Sequence, residues 1–374
     1  MGFPFIYGFS QGDAKILHCV QDANLPPYVI LSGSEESLYW NFAPRAISPK
    51  GTVTHMAKLV LGLATSHSPQ VSIPASDWPV LREKDETDAR LDYTGLCKIA
   101  KPDIETELTT AKMEARHQAT KTSVGRLTEI LKDVAPDVVV VVGDDQHEQF
   151  YDDVMPMFTI YHGKSFHLIH KERARVVNWK NVEEKHWAQT APEYETRWEL
   201  AQHLINALTL EEFDVARSNQ LRKDVGIGHA FAFLYRRIAP GSSVPMVPVM
   251  VNTYYPPNQP TPKRCYAFGQ ALRRAIESWD SAARVAILAS GGLSHIIMDE
   301  ELDHVTIDAL TKGKREQLFA LPREKLKGGT SEILNWVIVA GAMSPQPMTL
   351  IDYIPGYRSP GATGCGMGFG YWPQ

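Results

Sequence analysis

Three of the thirteen histidines stand just beyond apolar, strand-like runs: His67 in LATSHSPQ, His147 in VVVVVGDDQHEQF and His295 in ASGGLSHIIMD. In an open α/β sheet the ligand crevice lies outside the carboxyl ends of the strands, so three strands that each deliver a histidine there build one site. Neutral imidazole is the commonest metal ligand and also titrates near physiological pH, so such a cluster suits coordination or proton transfer. Two histidines and one carboxylate form the facial set that leaves open positions on Fe(II), and a hydrolytic zinc centre uses the same donor types. The carboxylates on offer are Asp144, Asp145 and Glu148 around His147, and Glu332 in GGTSEILNWVIVAGAM. Glu332 also reads simply as a first-turn acid behind an N-cap at Thr330 or Ser331, where the helix dipole favours it. His229, in VGIGHAFAFLYRRI, reads as a cap of a helix starting near Ala230 or as a member of the site, with Gly226 and Gly228 permitting close backbone approach.

The elements that must position these residues alternate. KLVLGLA (58–64), VVVVV (138–142), MFTIYH (157–162), VPMVPVMVN (244–252) and RVAILAS (284–290) have the short apolar runs of buried strands. A long amphipathic helix is expected from about Asp103 to Lys132, and further helices over APEYETRWELAQHLINALT and PKRCYAFGQALRRAIESW. The fold class is α/β, a three-layer α/β/α sandwich around a mixed central sheet. VNTYYPPNQPTP (251–262) reads as a loop and GATGCGMGFG (361–370) as a glycine-dense closing segment. Residues 1–55 show no clear period and read as an irregular extension, with the catalytic domain at 56–374. The extension is either an upstream reading of the frame, with Met56 as first residue, or an arm packed on a partner subunit; the sequence leaves both open.

Composition narrows the class. Acids and bases are interspersed at a formal charge of −5 and there is no basic block, which argues against a nucleic-acid partner. No apolar run approaches the roughly 20 residues of a membrane span, and the first residues lack a basic n-region and a small-residue cleavage site. Cys19, Cys97, Cys265 and Cys365 are far apart and form no C-x-x-C pair, so a reducing, cytoplasmic setting is expected. The phosphate-loop, dinucleotide and nucleophile-elbow patterns all fail on spacing or context.

Taken in order, SHSP (66–69), DDQHEQFYDDVMPMF (144–158), GIGHAF (226–231), ASGGLSH (289–295) and TSEILNW (330–336) resemble the motif series of the class III extradiol ring-cleavage dioxygenases. The resemblance runs from about Met56 to the C-terminus. It implies a non-haem Fe(II) held by His67, His147 and Glu332. His295 becomes the acid/base that takes a proton from a substrate hydroxyl, and His229 the second active-site histidine, in contact with substrate and oxygen. The implied partners are a catecholic small molecule and O2, in a homo-oligomer. Some members carry Asp directly before the histidine matching His229, where this chain has Gly228. Asp144, Asp145 and Glu148 are then expected to orient His147, since metal-bound histidines commonly donate their other N–H to such groups. Tyr357 and Arg358 are candidates to pair with a substrate carboxylate, as in protocatechuate or gallate derivatives, and Tyr254 and Tyr255 to line the pocket mouth. Two other classes fit the same ligands: a zinc-dependent hydrolase and a non-catalytic metal-binding module. Retention of His229 and His295, which a binding module does not need, weighs against the latter.

Overall fold

The structure, a computed structural model, describes residues 55–168, 192–222 and 226–373, together with two short paired strands, β1 (His18–Val20) and β2 (Tyr28–Ile30). The chain divides into two units, Met1–Thr54 and His55–Gln374. Apart from β1 and β2, nearly all of the expected irregular extension lies outside the described residues.

In the second unit the strands are β3 (Lys58–Thr65), β4 (Val138–Asp144), β5 (Phe158–Tyr161), β6 (Ser165–His167), β7 (Glu193–Glu195), β8 (Ala216–Ser218) and β9 (Met246–Val251), followed by β10 (Arg284–Ser290), β11 (His295–Ile297), β12 (Thr349–Tyr357) and β13 (Thr363–Pro373). The main sheet has the order β11-β13-β3-β10-β4-β9-β5-β8, with β12 paired to β13, while β6 and β7 form a separate antiparallel pair. It is mixed: β3, β10, β4 and β9 run parallel, whereas β13 pairs antiparallel with β3, and β5 with β9. The principal helices are α1 (Thr110–Val134), α2 (Trp198–Leu210), α3 (His229–Phe233), α4 (Pro262–Glu277), α5 (Glu300–Thr311) and α6 (Ile333–Met343).

The valine run shows why the central strands carry no polar face. Val138, Val140 and Val142 pack with residues of α2, α4 and α6, while Val139 and Val141 pack with residues of α1 and α3 on the other side. Successive side chains of a strand point to opposite faces, so a strand covered on both sides must be apolar throughout. This is the expected three-layer sandwich. Its consequence for function is positional. Because β3, β10 and β4 are parallel neighbours, their carboxyl ends lie side by side, and the residues that follow them converge.

Two local expectations need correction, and a third gains a structure. The long helix expected from Asp103 breaks into Ile104–Glu107 and α1, because the Thr109 side chain caps the Lys112 amide and starts a new helix there. The helix expected from Ala191 begins only at Trp198, since Glu193–Glu195 pairs with Ser165–His167 as β7. The glycine-dense segment is a strand, β13, inside the sheet. Its glycines alternate with Cys365, Met367 and Phe369, which are buried in the core. On the glycine side other groups come close: a Cβ on Gly366 would run into the Asp303 carboxylate, and one on Gly368 would lie 3.0 Å from both Leu293 and Trp336. Alternation of glycine with apolar residues is therefore a strand period in which one face is filled by its neighbours.

Candidate active site

Glu332 lies at the centre of the converging strand ends. It is the last residue of a 3-10 turn, Gly328–Glu332, that leads into α6, and its carboxylate is fully buried. Its Oε1 is 3.1 Å from His295 Nε2 and accepts hydrogen bonds from Gln146 Nε2 and the Tyr254 hydroxyl, each at 3.2 Å. Its Oε2 accepts the Gly292 amide at 2.6 Å and stands 3.3 Å from His67 Nε2. A simple dipole-favouring glutamate would point to solvent; this one collects polar partners from four separate segments. Burial opposes its charge, but His295 and His67 outweigh that and hold the carboxyl well below the usual range.

His67 follows β3, and its tautomer is fixed by β10. The Ser290 hydroxyl donates to the Ala230 carbonyl at 2.6 Å, so towards His67 Nδ1, 3.0 Å away, it can only accept. His67 therefore carries its proton on Nδ1. Nε2, 3.3 Å from the Glu332 carboxylate, is then the nitrogen that donates to it in the charged ring and offers a lone pair in the neutral one. His295 has its Nδ1 2.9 Å from the Leu293 carbonyl, which requires an N–H there. Burial disfavours charge on this ring, yet Glu332 prevails and raises it well above the ordinary imidazole range.

His229 opens α3, and its ring lies against that of His67 with centroids 4.6 Å apart, edge to face. Glu148 Oε1 accepts both its backbone N–H and its Nδ1–H, each at 2.9 Å. Burial works against the charged ring, but Glu148, and after it Asp144 and Glu332, lifts it to about 9. Asp144, the last residue of β4, is fully buried and accepts from Gln146 Nε2 at 2.9 Å; burial first, and then Glu332, raises its carboxyl. Ligand atoms of His67, Asp144 and His229 all lie within 4.8 Å of one another.

The structure thus brings together four of the expected site residues, His67, His229, His295 and Glu332. Asp144 and Tyr254 join them, whereas His147, Tyr357 and Arg358 are placed elsewhere. His147, with a left-handed backbone (φ 56°), turns away from Glu332 and stacks on Tyr255 at 3.8 Å between centroids. Its Nε2 is 3.4 Å from the exposed Asp152 carboxylate and makes no hydrogen bond. Gln146, one position earlier, is the residue whose side chain reaches Asp144 and Glu332. The three acids expected to orient His147 are otherwise engaged. Asp144 faces the cluster, Asp145 caps the Gln149 and Phe150 amides, and Glu148 holds His229. Arg358 is buried in a bidentate pair with Asp85, at 2.7 and 2.9 Å, and donates a third bond to Gln70. The Tyr357 hydroxyl donates to Glu300 at 2.5 Å. Both side chains are used within the fold rather than offered to a ligand.

Sequence reasoning missed Gln146 and Ser290. Ser290 is legible only as the residue that closes a strand before two glycines. Gln146 is hidden by the more conspicuous histidine beside it.

A family model described as the catalytic LigB subunit of aromatic ring-opening dioxygenase matches residues 104–368. The chain belongs to this family. Among curated proteins it is similar to a gallate dioxygenase of Pseudomonas putida, 33% identical over 158 residues, which cover 39% of this chain and 45% of that protein. It is also similar to the 2,3-dihydroxyphenylpropionate/2,3-dihydroxicinnamic acid 1,2-dioxygenase of Paraburkholderia xenovorans, 29% identical over 163 residues and 44% of each chain. The corresponding enzyme of Rhodococcus jostii is 28% identical over 172 residues, 44% of this chain and 45% of the relative. The matches thus span less than half the length of these relatives.

Proposed function

We propose that the protein is a non-haem Fe(II)-dependent extradiol dioxygenase that opens the ring of a catecholic aromatic acid, such as protocatechuate, gallate or methylgallate, and inserts both atoms of O2. The observation that carries this reading is the His67–Glu332 contact, with His229 and His295 on the same cluster. The donor set fits a divalent cation. Two fully buried carboxylates, Asp144 and Glu332, share one neutral amide from Gln146, and His67 turns its Nε2 to one of them. A buried charge set of this kind is stabilised by a cation among its oxygen and nitrogen donors. His67 and Glu332 hold the metal in this reading, with Asp144 as third donor. His147 is the alternative third donor: the family resemblance names it, and its Nε2 is a buried atom without a hydrogen bond.

When bound, Fe(II) supplies open positions and redox chemistry that zinc lacks. The chain's own groups manage the protons. With a divalent cation on Glu332 offsetting the charge that otherwise keeps the ring protonated, His295 takes the proton of a substrate hydroxyl at Nε2, and Glu332 stabilises the imidazolium so formed. The Leu293 carbonyl keeps Nδ1 protonated throughout, so Nε2 is the only exchanging atom. His229 holds a proton for the oxygen side of the reaction.

The test is anaerobic loading with Fe(II) or Zn(II), then oxygen uptake and visible absorbance with catechol, protocatechuate, gallate, methylgallate and dihydroxyphenylpropionate. Uptake with a ring-cleavage chromophore, for iron alone, is expected. Turnover that survives replacement of iron by zinc would point to the hydrolase class.

A further inference from the structure

We infer that Glu148 is the positioning residue of His229, and that Gly228 is glycine because the Glu148 carboxylate occupies the space its side chain would fill. This rests on the reading of His229 as a working member of the site. Glu148 comes from the loop after β4, whereas His229 begins a helix that packs against β4. One oxygen, Oε1, accepts both the backbone N–H and the Nδ1–H of His229 at 2.9 Å. Two bonds to one residue fix the helix start and the ring together. An ionised carboxylate only accepts, so Nδ1 carries the proton and the lone pair of the neutral ring is assigned to Nε2. The other carboxylate oxygen, Oε2, sits where a Cβ on residue 228 would be. Any side chain at 228 therefore collides with the group that orients the histidine. By the same geometry, a carboxylate carried on residue 228 would stand in the place that Glu148 now holds.

The two carboxylate sources are thus interchangeable in space but mutually exclusive, which makes the inference testable by relocation. Three variants are needed: E148A, E148Q and the double variant E148A/G228D, each checked for a native thermal transition. The first measurement is the 15N spectrum of the His229 imidazole in metal-free protein at a pH above the ring's value of about 9, where the ring is neutral and the spectrum reports the tautomer without any turnover. The second is kcat and KM of the iron-loaded enzyme on whichever ring it opens. E148A is expected to mix the tautomers and to lower kcat about 10- to 100-fold, with KM changed by less than about threefold. E148Q, whose amide oxygen still accepts from Nδ1, recovers most of the loss. E148A/G228D restores the Nδ1–H tautomer.

An E148A protein with the parental imidazole spectrum and parental kcat would overturn the positioning role. A well-folded double variant that restores neither readout would overturn the role assigned to Gly228. If no ring is opened by any form while the imidazole still responds to E148A, the dioxygenase reading fails and the positioning role stands.

Discussion

His67 Nε2 stands 3.3 Å from Glu332 Oε2, and it is the ring nitrogen left over once Nδ1 is committed. The cause lies on the far side of the imidazole, where Ser290 gives its own hydroxyl proton to the Ala230 carbonyl and so takes the Nδ1–H of His67. A strand-end serine thereby decides which nitrogen faces the carboxylate. Removing the hydroxyl in Ser290→Ala frees the ring to change tautomer. Metal affinity should fall about 10- to 100-fold, the usual cost of losing the hydrogen bond behind a ligand. Calorimetric titration of metal-free protein with Fe(II), beside a thermal melt to confirm the fold, measures it; unchanged affinity would show that Ser290 does not set the ring.

Asp144 and His147 compete for the third ligand position, and their placements differ sharply. Asp144 is buried beside Glu332, whereas His147 stacks on Tyr255. Asp144→Asn should abolish stoichiometric iron in the purified protein while His147→Ala keeps it. Metal content by plasma emission decides the matter, and the reverse result would mean that the His147 loop turns inward to ligate.

Arg358 reads in sequence as a substrate anchor and in structure as a strut. Its bidentate pair with Asp85 is closed by a third bond to Gln70, and Asp85 also accepts the Thr363 hydroxyl at 2.6 Å. Truncation to Ala strands a buried carboxylate, so Arg358→Ala should cost about 3–5 kcal/mol of folding stability. Chemical denaturation checks this. A variant with parental stability and a greatly raised KM would return Arg358 to the substrate.

Gly368 lets β13 approach Leu293 and Trp336, which leave a Cβ only 3.0 Å of clearance. Neither neighbour can yield easily, as both are fully buried. Gly368→Ala should destabilise by about 1–3 kcal/mol through overpacking. A midpoint of unfolding equal to the parent's would show that the face is looser than its geometry.

Much of the site was legible from strand ends alone. Val138–Val142 could only be a strand covered on both faces, and His67 and His295 stand where that topology sends them, while Glu332 enters from the helix start that its sequence context shows. What stayed hidden depends on direction and on contacts between distant segments. Nothing in DDQHEQF tells which of Gln146 and His147 turns inward, because the chain has left the strand and its two-residue alternation no longer fixes side-chain direction. The role of Glu148 was equally hidden: its partner lies 81 residues away and is admitted by a glycine whose purpose shows only in three dimensions. The alternating glycines of β13 read only as a glycine-dense closing segment, because composition was weighed without the faces that cover them.

The most direct measurement is turnover of the iron-loaded protein under 18O2 with its best catecholic acid, the ring-opened product being trapped rapidly and weighed by mass spectrometry. A dioxygenase built on this cluster puts two labelled atoms into one product molecule for each O2 consumed. An unlabelled product, or iron-loaded protein that leaves both ring and O2 untouched, would contradict it.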